Sequence, residues 1–274
     1  MSGEDLLQID VRSIIGSKNP KTLKRIPRFI IRYLERIIHQ DEINAFLREN
    51  PDKKNLDFVD VGIEFMELGI DYRGFENVPE EGRFVFAANH PLGGLESVVL
   101  MQIVAKKYKD FVFVVNDLLM ALKPISGLFV PVNKLGGQSR DSVKKINEAY
   151  ESDKQILFFP AGLVSRKKRG KIEDPPWQKT FVSKAIETKR DIIPVYIDGR
   201  NSNFFYRLAN LRKFLGIKTN IEMLYLVNEM FKQRGRTITI TFGKPIPYST
   251  FDKTKSYKEW AEFLKRKVYE MRGE

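Results

Sequence analysis

Short apolar segments alternate with helical ones over most of this chain, and that alternation restricts its fold more than any other feature. Hydrophobic periodicity predicts seven strands, near residues 70–75, 84–88, 111–115, 128–132, 156–159, 192–197 and 236–242. It predicts helices near residues 95–107, 139–151, 177–188, 203–214, 220–232 and 256–271. Short apolar strands separated by helices indicate an α/β fold, in which a mostly parallel central sheet is flanked by helices.

The amino-terminal part of the chain differs from the rest because it is predicted to be helical. Residues 22–69 contain a basic amphipathic segment followed by an apolar helix over residues 58–68. We therefore expect two parts, an amphipathic helical extension over residues 1–69 that associates with membranes and an α/β domain over residues 70–274.

One histidine is predicted to lie at the end of a strand. Residues 85–88 have the pattern of a buried strand, residues 91–94 that of a turn, and an apolar helix follows. His90 then stands at the strand end, and Glu96, in the first turn of the helix, can fold back towards it. A carboxylate there fixes the imidazole tautomer and stabilises the imidazolium that forms when histidine takes a proton. We interpret His90 as a catalytic base oriented by Glu96, and the alternative is a histidine with structural hydrogen bonds alone.

Four segments together resemble the sequence blocks of the glycerolphosphate and lysophospholipid acyltransferase superfamily. In chain order they are Asn-His-Pro-Leu-Gly-Gly-Leu-Glu at 89–96, Gly-Leu-Phe-Val-Pro-Val-Asn-Lys at 127–134, Phe-Pro-Ala-Gly-Leu-Val-Ser-Arg at 159–166 and Ile-Ile-Pro-Val-Tyr at 192–196. The resemblance extends over residues 75–245. It is nearest to the branch with the bacterial ornithine-lipid and glycine-lipid acyltransferases, often labelled hemolysins.

The first block departs from the better-known members of that superfamily. Their histidine is commonly followed by an aspartate five residues later, whereas here position 95 is leucine and the carboxylate is Glu96, six residues after His90. The pair of glycines at 93 and 94 can absorb the additional residue, because glycine accepts unusual backbone conformations.

The third block also departs from the common pattern, Phe-Pro-Glu-Gly-Thr-Arg. This chain has Ala161 and Leu163 in place of the glutamate and threonine. This difference weakens the case for a glycerol-phosphate acceptor. The aminolipid branch has Phe-Pro-Ala-Gly followed by a Ser-Arg pair, which Ser165 and Arg166 match.

The resemblance implies direct transfer of a fatty acyl group from a thioester of acyl carrier protein or coenzyme A, with no cofactor. The expected acceptor is a lyso-aminolipid or an amino acid, used in bacterial lipid synthesis. We expect the negative charge of the transition state to be stabilised by Asn89 and by backbone amides around Gly93, Gly94 and Gly162. The residues expected to bind the acceptor are Arg166, Ser165 and Lys134.

Two other functions stay open at this stage. One is a lysophospholipid (1-acylglycerol-3-phosphate) acyltransferase that works without the glutamate of the third block. The other is a catalytically inactive membrane-binding protein that keeps the fold and the basic surface. Both acyl donors, both an ester and an amide product, and any acyl length remain compatible with the residues.

The charge of the chain points to an anionic partner. It has 47 basic and 35 acidic residues, a net charge of +12, which favours a phospholipid surface or a nucleic acid. Residues 21–40 combine apolar residues at helical spacing with a basic side, as in helices that lie in a bilayer interface. The basic residues that we assign to membrane binding are Arg25, Arg28, Arg32 and Arg36.

That helix has a second interpretation, in which its apolar side packs on the protein core and its basic side is solvated. The two roles can coexist. Residues 203–231 are a second candidate for membrane contact, with packing in the core as the simpler explanation. The segment 166–171 has five basic residues in six, and it is either a phosphate-binding segment or a solvated loop.

Other classes of protein are disfavoured by missing signals. The sequence lacks the zinc-ligand sets, ribonucleoprotein motifs and helix-turn-helix patterns of nucleic-acid-binding proteins. It also has no P-loop or dinucleotide fingerprint, no cysteine, and no cluster with metal-ligand spacing. With no apolar run of about 20 residues and no signal pattern over residues 1–10, we expect a peripheral protein on the cytoplasmic face of the bacterial inner membrane.

Overall fold

A computed structural model describes residues 8–18, 26–116, 119–120, 122–132 and 140–273. The strands in these residues are β1 (Gly69–Arg73), β2 (Phe84–Ala88), β3 (Phe111–Asn116), β4 (Phe129–Val132), β5 (Gln155–Phe158), β6 (Arg166–Lys168), β7 (Lys171–Glu173), β8 (Asp191–Ile197) and β9 (Thr237–Phe242). The helices are α1 (Val11–Lys18), α2 (Arg28–Ile37), α3 (Gln40–Glu49), α4 (Asn55–Phe65), α5 (Leu95–Ala105), α6 (Arg140–Glu151), α7 (Thr180–Glu187), α8 (Asn203–Phe214), α9 (Leu226–Phe231) and α10 (Tyr257–Glu270).

Seven strands form the central sheet, in the order β1-β9-β8-β2-β5-β3-β4. Every pair of neighbours is parallel except β8 and β9, which are antiparallel. These are the seven strands that the apolar segments predict, so the mostly parallel α/β fold is confirmed. Strand β2 is buried along its whole length at the centre of the sheet, as expected for an apolar strand covered on both faces.

The sheet separates two layers of core. Strand alternation sends Phe84, Phe86 and Ala88 into one layer and Val85 and Ala87 into the other. The first layer also contains Val59, Ile63 and Met66, from α4 and the residue that follows it. The carboxyl end of the helical extension therefore contributes to the same core as the sheet.

Helix α4 begins and ends earlier than the sequence predicts for residues 58–68. Glu67 has a left-handed backbone with φ of 52°, and the amide of Leu68 donates to the carbonyl of Ile63 at 3.1 Å. This hydrogen bond and left-handed residue form a Schellman motif, which ends the helix.

The basic segment 166–171, which could be read as a solvated loop, is instead part of an antiparallel hairpin formed by β6 and β7. Arg169 and Gly170 make its turn with φ values of 48° and 84°. Two consecutive positive φ values are typical of a type I′ turn, and its twist matches that of the flanking strands.

Within the described residues, no helix has both the length and the apolar character required to cross a bilayer.

Candidate active site

The carboxyl end of β2 delivers His90 to the edge of the sheet, where the next helix presents Glu96. His90 Nδ1 lies 2.8 Å from Glu96 Oε1, and the side chains are 15% and 0% exposed. An ionised carboxylate only accepts hydrogen bonds, so Nδ1 carries the proton in this pair and Nε2 is left with its lone pair. The structure thus brings together the two residues that the sequence analysis pairs.

Glu96 is buried, and three backbone amides hold it. Oε1 accepts hydrogen bonds from the amides of Leu92 at 2.9 Å and Gly93 at 3.0 Å, and Oε2 accepts one from Gly94 at 2.8 Å. Burial raises the pKa of the Glu96 carboxyl, but attraction to the His90 ring in its protonated form and the hydrogen bonds to Glu96 outweigh burial and bring the pKa below its usual value. The first turn of α5 adds the favourable end of a helix dipole. Glu96 is therefore held in its ionised form.

Gly93 and Gly94 allow the three backbone amides to surround the Glu96 carboxylate. Gly93 has a φ of 96°, and a Cβ atom placed there would lie 2.7 Å from a side-chain carbon of Leu226. Only glycine fits such a position without strain. The turn folds all three amides onto one carboxylate, and this accommodates the six-residue spacing between His90 and Glu96.

The amides of Gly93 and Gly94 already have a partner within the protein. We expected them to stabilise the oxyanion of the reaction, but both donate to Glu96. The physical reason is that a buried carboxylate is costly unless donors surround it. In this arrangement the two amides hold Glu96 in place.

Asn89 and Gly162 also have partners within the protein. The side chain of Asn89 donates to the carbonyl of Ile197 at 2.9 Å and accepts from the amide of the same residue at 2.6 Å. It thereby ties the end of β2 to the end of β8. The amide of Gly162 donates to the carbonyl of Phe159 at 3.0 Å. Their hydrogen bonds give both residues a structural role, which does not support the expected direct contact with an oxyanion.

Ser165 holds the backbone of His90. The amide of Ser165 donates to the carbonyl of His90 at 2.8 Å, and its hydroxyl donates to Asp174 Oδ1 at 2.6 Å. The same Oδ1 accepts the amide of His90 at 3.2 Å, and Oδ2 accepts Nε1 of Trp177 at 2.9 Å. Ser165 is therefore placed to position the histidine, whereas the sequence analysis assigned it to the acceptor.

Asp174 is a functional candidate that the sequence analysis missed. It is almost fully buried, and burial raises the pKa of its carboxyl, although hydrogen bonds from Ser165 and Trp177 act in the opposite direction. Asp174 is far from His90 in the chain, and the only local signal is its place in a Glu-Asp-Pro-Pro-Trp segment after the basic run.

Phe159 fixes the plane of the His90 ring. The two rings stack with their centroids 4.2 Å apart and an angle of 18° between their planes. With Glu96 on one ring nitrogen and Phe159 on one ring face, the orientation of the imidazole is determined before any substrate binds.

A cavity of about 250 Å³ opens beside His90 at the carboxyl ends of β3, β4 and β5. Its lining is mainly apolar, and includes Phe113, Val115, Phe129, Val132, Phe158 and Phe181. Ligands of parallel sheets gather at this edge, and a mainly apolar cavity beside His90 suits a hydrocarbon chain whose reactive end lies at the imidazole.

Arg166 follows Ser165 directly but takes part in a different cluster. Its Nη2 lies 3.1 Å from Oε1 of the fully buried Glu222, and Nε of Arg212 lies 2.9 Å from Oε2. Burial lowers the pKa of Arg166, while the charge of Glu222 raises it. Two guanidinium groups thus share one carboxylate. Lys134, the remaining acceptor candidate, lies outside the described residues.

Helix α2 packs one side on the core and exposes the other, and membrane binding by its basic residues stays a prediction. Ile31 and Ile37 are buried, whereas the predicted membrane-binding residues Arg28, Arg32 and Arg36 are exposed. The exposed side also carries apolar residues, Phe29, Ile30 and Tyr33. Arg25 lies outside the described residues.

A metal centre has no support in the described ranges, which contain no group of three or more histidine, aspartate or glutamate side chains suitable for an ion.

Comparison with known proteins identifies a family. Residues 13–274 match the profile of the family described as Acyltransferase. A lyso-glycine lipid O-acyltransferase of Bacteroides thetaiotaomicron is 49% identical over 272 residues, 99% of this chain and 100% of the relative. A second lyso-glycine lipid O-acyltransferase, of Phocaeicola vulgatus, is 48% identical over 272 residues, 99% of this chain and 98% of the relative. A solved structure, the 1-acyl-sn-glycerophosphate acyltransferase PlsC of Thermotoga maritima, is similar with a TM-score of 0.48 and 17% identity, over 96% of this chain and 90% of that one.

Proposed function

The chain belongs to the acyltransferase family, and we propose that it moves a fatty acyl group from an acyl thioester to the hydroxyl group of a lyso-aminolipid. The observation that carries the proposal is the pair of His90 and Glu96, in which His90 lines a mainly apolar cavity. Since both curated relatives are lyso-glycine lipid O-acyltransferases, lyso-glycine lipid is the acceptor that we favour.

His90 serves as the general base of the proposed reaction. With Nδ1–H directed at Glu96, the lone pair on Nε2 accepts the proton of the acceptor hydroxyl as its oxygen attacks the thioester carbonyl. The carbon–oxygen bond forms and a tetrahedral oxyanion results. Its collapse breaks the carbon–sulfur bond, and the leaving thiolate takes the proton from Nε2, so the imidazole returns to its starting state.

Glu96 stabilises the imidazolium between these two steps. Its charge is already held in place by three backbone amides, so little reorganisation accompanies proton transfer. Ser165 and Asp174 act as positioning residues because they hold the backbone of His90. No covalent acyl-enzyme is required by this arrangement.

The acyl chain of the donor occupies the cavity beside His90 in this proposal. Burial of the hydrocarbon chain between the apolar walls stabilises the complex by about 0.8 kcal/mol for each methylene removed from water. The thioester carbonyl then lies at the end of the chain, next to the imidazole. Acyl carrier protein and coenzyme A both present such a thioester.

The acceptor is expected to bind on the side of Arg166. Arg166 and Arg212 together carry one positive charge more than Glu222 neutralises, which suits the carboxylate of a glycine unit. Lys134 remains a predicted second contact. The exposed basic side of α2 would hold the protein at the membrane that contains the acceptor.

The experiment is mass spectrometry of the products made by purified protein from a long-chain acyl thioester and a panel of acceptors. The panel contains lyso-glycine lipid, lyso-ornithine lipid, lysophosphatidate and free amino acids, and each donor is supplied separately. Wild type is compared with His90→Ala and with His39→Gln, which changes the other histidine.

We expect an ester of lyso-glycine lipid from wild type and from His39→Gln, and its loss in His90→Ala. Phosphatidate as the main product would contradict the proposed acceptor. Equal product from wild type and His90→Ala would contradict the proposed base.

A further inference from the structure

A second pocket, about 740 Å³ in volume, lies between the β6–β7 hairpin and α8, and we call it the basic pocket. The hairpin contributes Lys167, Lys168, Arg169 and Lys171, and α8 contributes Arg212 and Lys213. Its acidic lining residues are Glu173 and Asp174, and the carboxylate of Asp174 already accepts hydrogen bonds from Ser165 and Trp177. The pocket therefore has a large excess of positive charge.

Most of this charge has no counter-ion among the residues that the structure describes. Within the described part of the chain, none of the hairpin's Lys167, Lys168, Arg169 and Lys171, nor Lys213, lies within 4.0 Å of a carboxylate oxygen. Lys168 and Lys171 are directly opposite each other in the register of the two strands. Like charges in that position destabilise a hairpin, so an anion bound between them would remove a repulsion that the fold itself leaves in place.

Exposed apolar side chains neighbour the pocket residues of α8 in the sequence. Leu211, Phe214 and Leu215 are 53%, 87% and 59% exposed, and along the chain they flank Arg212 and Lys213 of the pocket. Exposed apolar side chains contribute nothing to the binding of a soluble anion. Apolar tips beside lysines are instead typical of surfaces that enter a bilayer interface.

Aromatic contacts also connect α8 to α2. The hydroxyl groups of Tyr33 and Tyr225 lie 2.9 Å apart, and the ring of Tyr225 packs edge-on against Phe204 of α8 with centroids 5.0 Å apart. The two stretches that the sequence marks separately as membrane candidates, residues 21–40 and 203–231, are therefore joined through Tyr225.

We propose that the basic pocket binds the anionic headgroup of a bilayer lipid while Phe214 and Leu215 enter the interface beside it. This inference builds on the proposed function, because an acceptor that is a lipid must be collected from a membrane. Arg166 lines the pocket and is adjacent to Ser165, which holds His90. The carboxylate of the acceptor and the phosphate of a bulk phospholipid offer the same anionic chemistry, and they are the two sources of the headgroup.

The test is vesicle co-sedimentation of the full chain. The vesicles are phosphatidylcholine alone, phosphatidylcholine with phosphatidylglycerol, and phosphatidylcholine with lyso-glycine lipid. The double variant Lys168→Ala/Lys171→Ala is compared with Lys253→Ala/Lys258→Ala, which removes the same charge from exposed positions that do not line the pocket.

We expect Lys168→Ala/Lys171→Ala to weaken binding to anionic vesicles by about fivefold for each lysine, with a weaker dependence on salt, and the control to bind as wild type does. Binding to vesicles with phosphatidylglycerol assigns the phosphate of a bulk phospholipid as the headgroup, and binding to vesicles with lyso-glycine lipid assigns the carboxylate of the acceptor. Binding to both assigns both sources. A third variant, Phe214→Ser/Leu215→Ser, should reduce binding to all three compositions. Circular dichroism checks that each variant is folded.

Equal binding of the two lysine variants to anionic vesicles would overturn the proposal. The proposal would also be overturned if Lys168→Ala/Lys171→Ala bound vesicles as wild type does but had a raised KM for a water-soluble acyl thioester. That result would assign the pocket to the acyl donor. Vesicle binding does not require turnover. A pocket-dependent interaction without acylation of lyso-glycine lipid would therefore contradict the proposed function and leave the headgroup site standing.

Discussion

The two histidines of this chain have similar immediate contacts and very different surroundings. Each ring stacks on a phenylalanine, His90 on Phe159 at 4.2 Å and His39 on Phe231 at 3.9 Å. Each has a ring nitrogen near a side-chain oxygen, 2.8 Å for His90 to Glu96 and 3.1 Å for His39 to Asn228. Stacking and a hydrogen bond are therefore insufficient to identify a base.

The difference lies in the partner and in the space beside the ring. The partner of His90 is a buried carboxylate with a lowered pKa, and an apolar cavity opens at the ring. The partner of His39 is a neutral amide, its nearest carboxylate is the half-exposed Glu42 at 3.9 Å, and His39 does not line that cavity. A buried carboxylate stabilises an imidazolium far better than a solvated one, and for this reason we propose His90, and not His39, as the base.

The largest difference between the two histidines is expected when the carboxylate near each of them, Glu96 or Glu42, is neutralised. Glu96→Gln should lower kcat about 100-fold or more, because the amide neither stabilises the imidazolium nor accepts three backbone hydrogen bonds. Glu42→Gln should leave kcat unchanged, since its contact with His39 is long and exposed. Steady-state kinetics of both variants measures the difference, and equal kcat values would remove the distinction between the two histidines.

A smaller effect is expected from the residue that holds the backbone of His90. Ser165→Ala removes the hydroxyl that donates to Asp174, so one donor to a buried carboxylate is lost. If Ser165 is a positioning residue, kcat should fall roughly tenfold while the KM for the acceptor stays constant. A raised KM with an unchanged kcat would restore the interpretation of Ser165 as an acceptor contact.

The smallest effect is expected from the stacked phenylalanines. Phe159→Leu removes an aromatic contact worth about 0.5–1.5 kcal/mol and loosens the orientation of His90, so kcat should fall by about threefold to tenfold. Phe231→Leu removes the equivalent contact at His39 and should affect thermal stability alone. Parallel measurement of kcat and Tm separates the outcomes, and a loss of kcat in Phe231→Leu would contradict the assignment.

Local patterns predicted the sheet and the histidine pair well. The strands are apolar runs whose length and flanking turns are visible in the chain, and β2 is apolar because both of its faces are covered. Glu96 is six residues from His90, so strand, turn and helix signals suffice to bring them together.

Contacts between distant parts of the chain were not predictable in the same way. Asp174 and Ser165 meet His90 only because the hairpin folds back on the sheet edge, and no local pattern records this. The hairpin could not be predicted from the sequence, because five basic residues in six suggest a solvated loop and not two strands. The roles of the Gly93 and Gly94 amides depend on the burial of Glu96, which spacing alone does not reveal.

The most direct test of the central claim is the turnover of His90→Ala on lyso-glycine lipid, measured without and with added imidazole and beside His39→Gln. We expect a loss of about 100-fold to 10,000-fold in kcat for His90→Ala, the usual contribution of a general base. Free imidazole should restore part of the rate by occupying the space against Phe159, and His39→Gln should behave as wild type. Wild-type turnover by His90→Ala in the absence of imidazole would contradict the account.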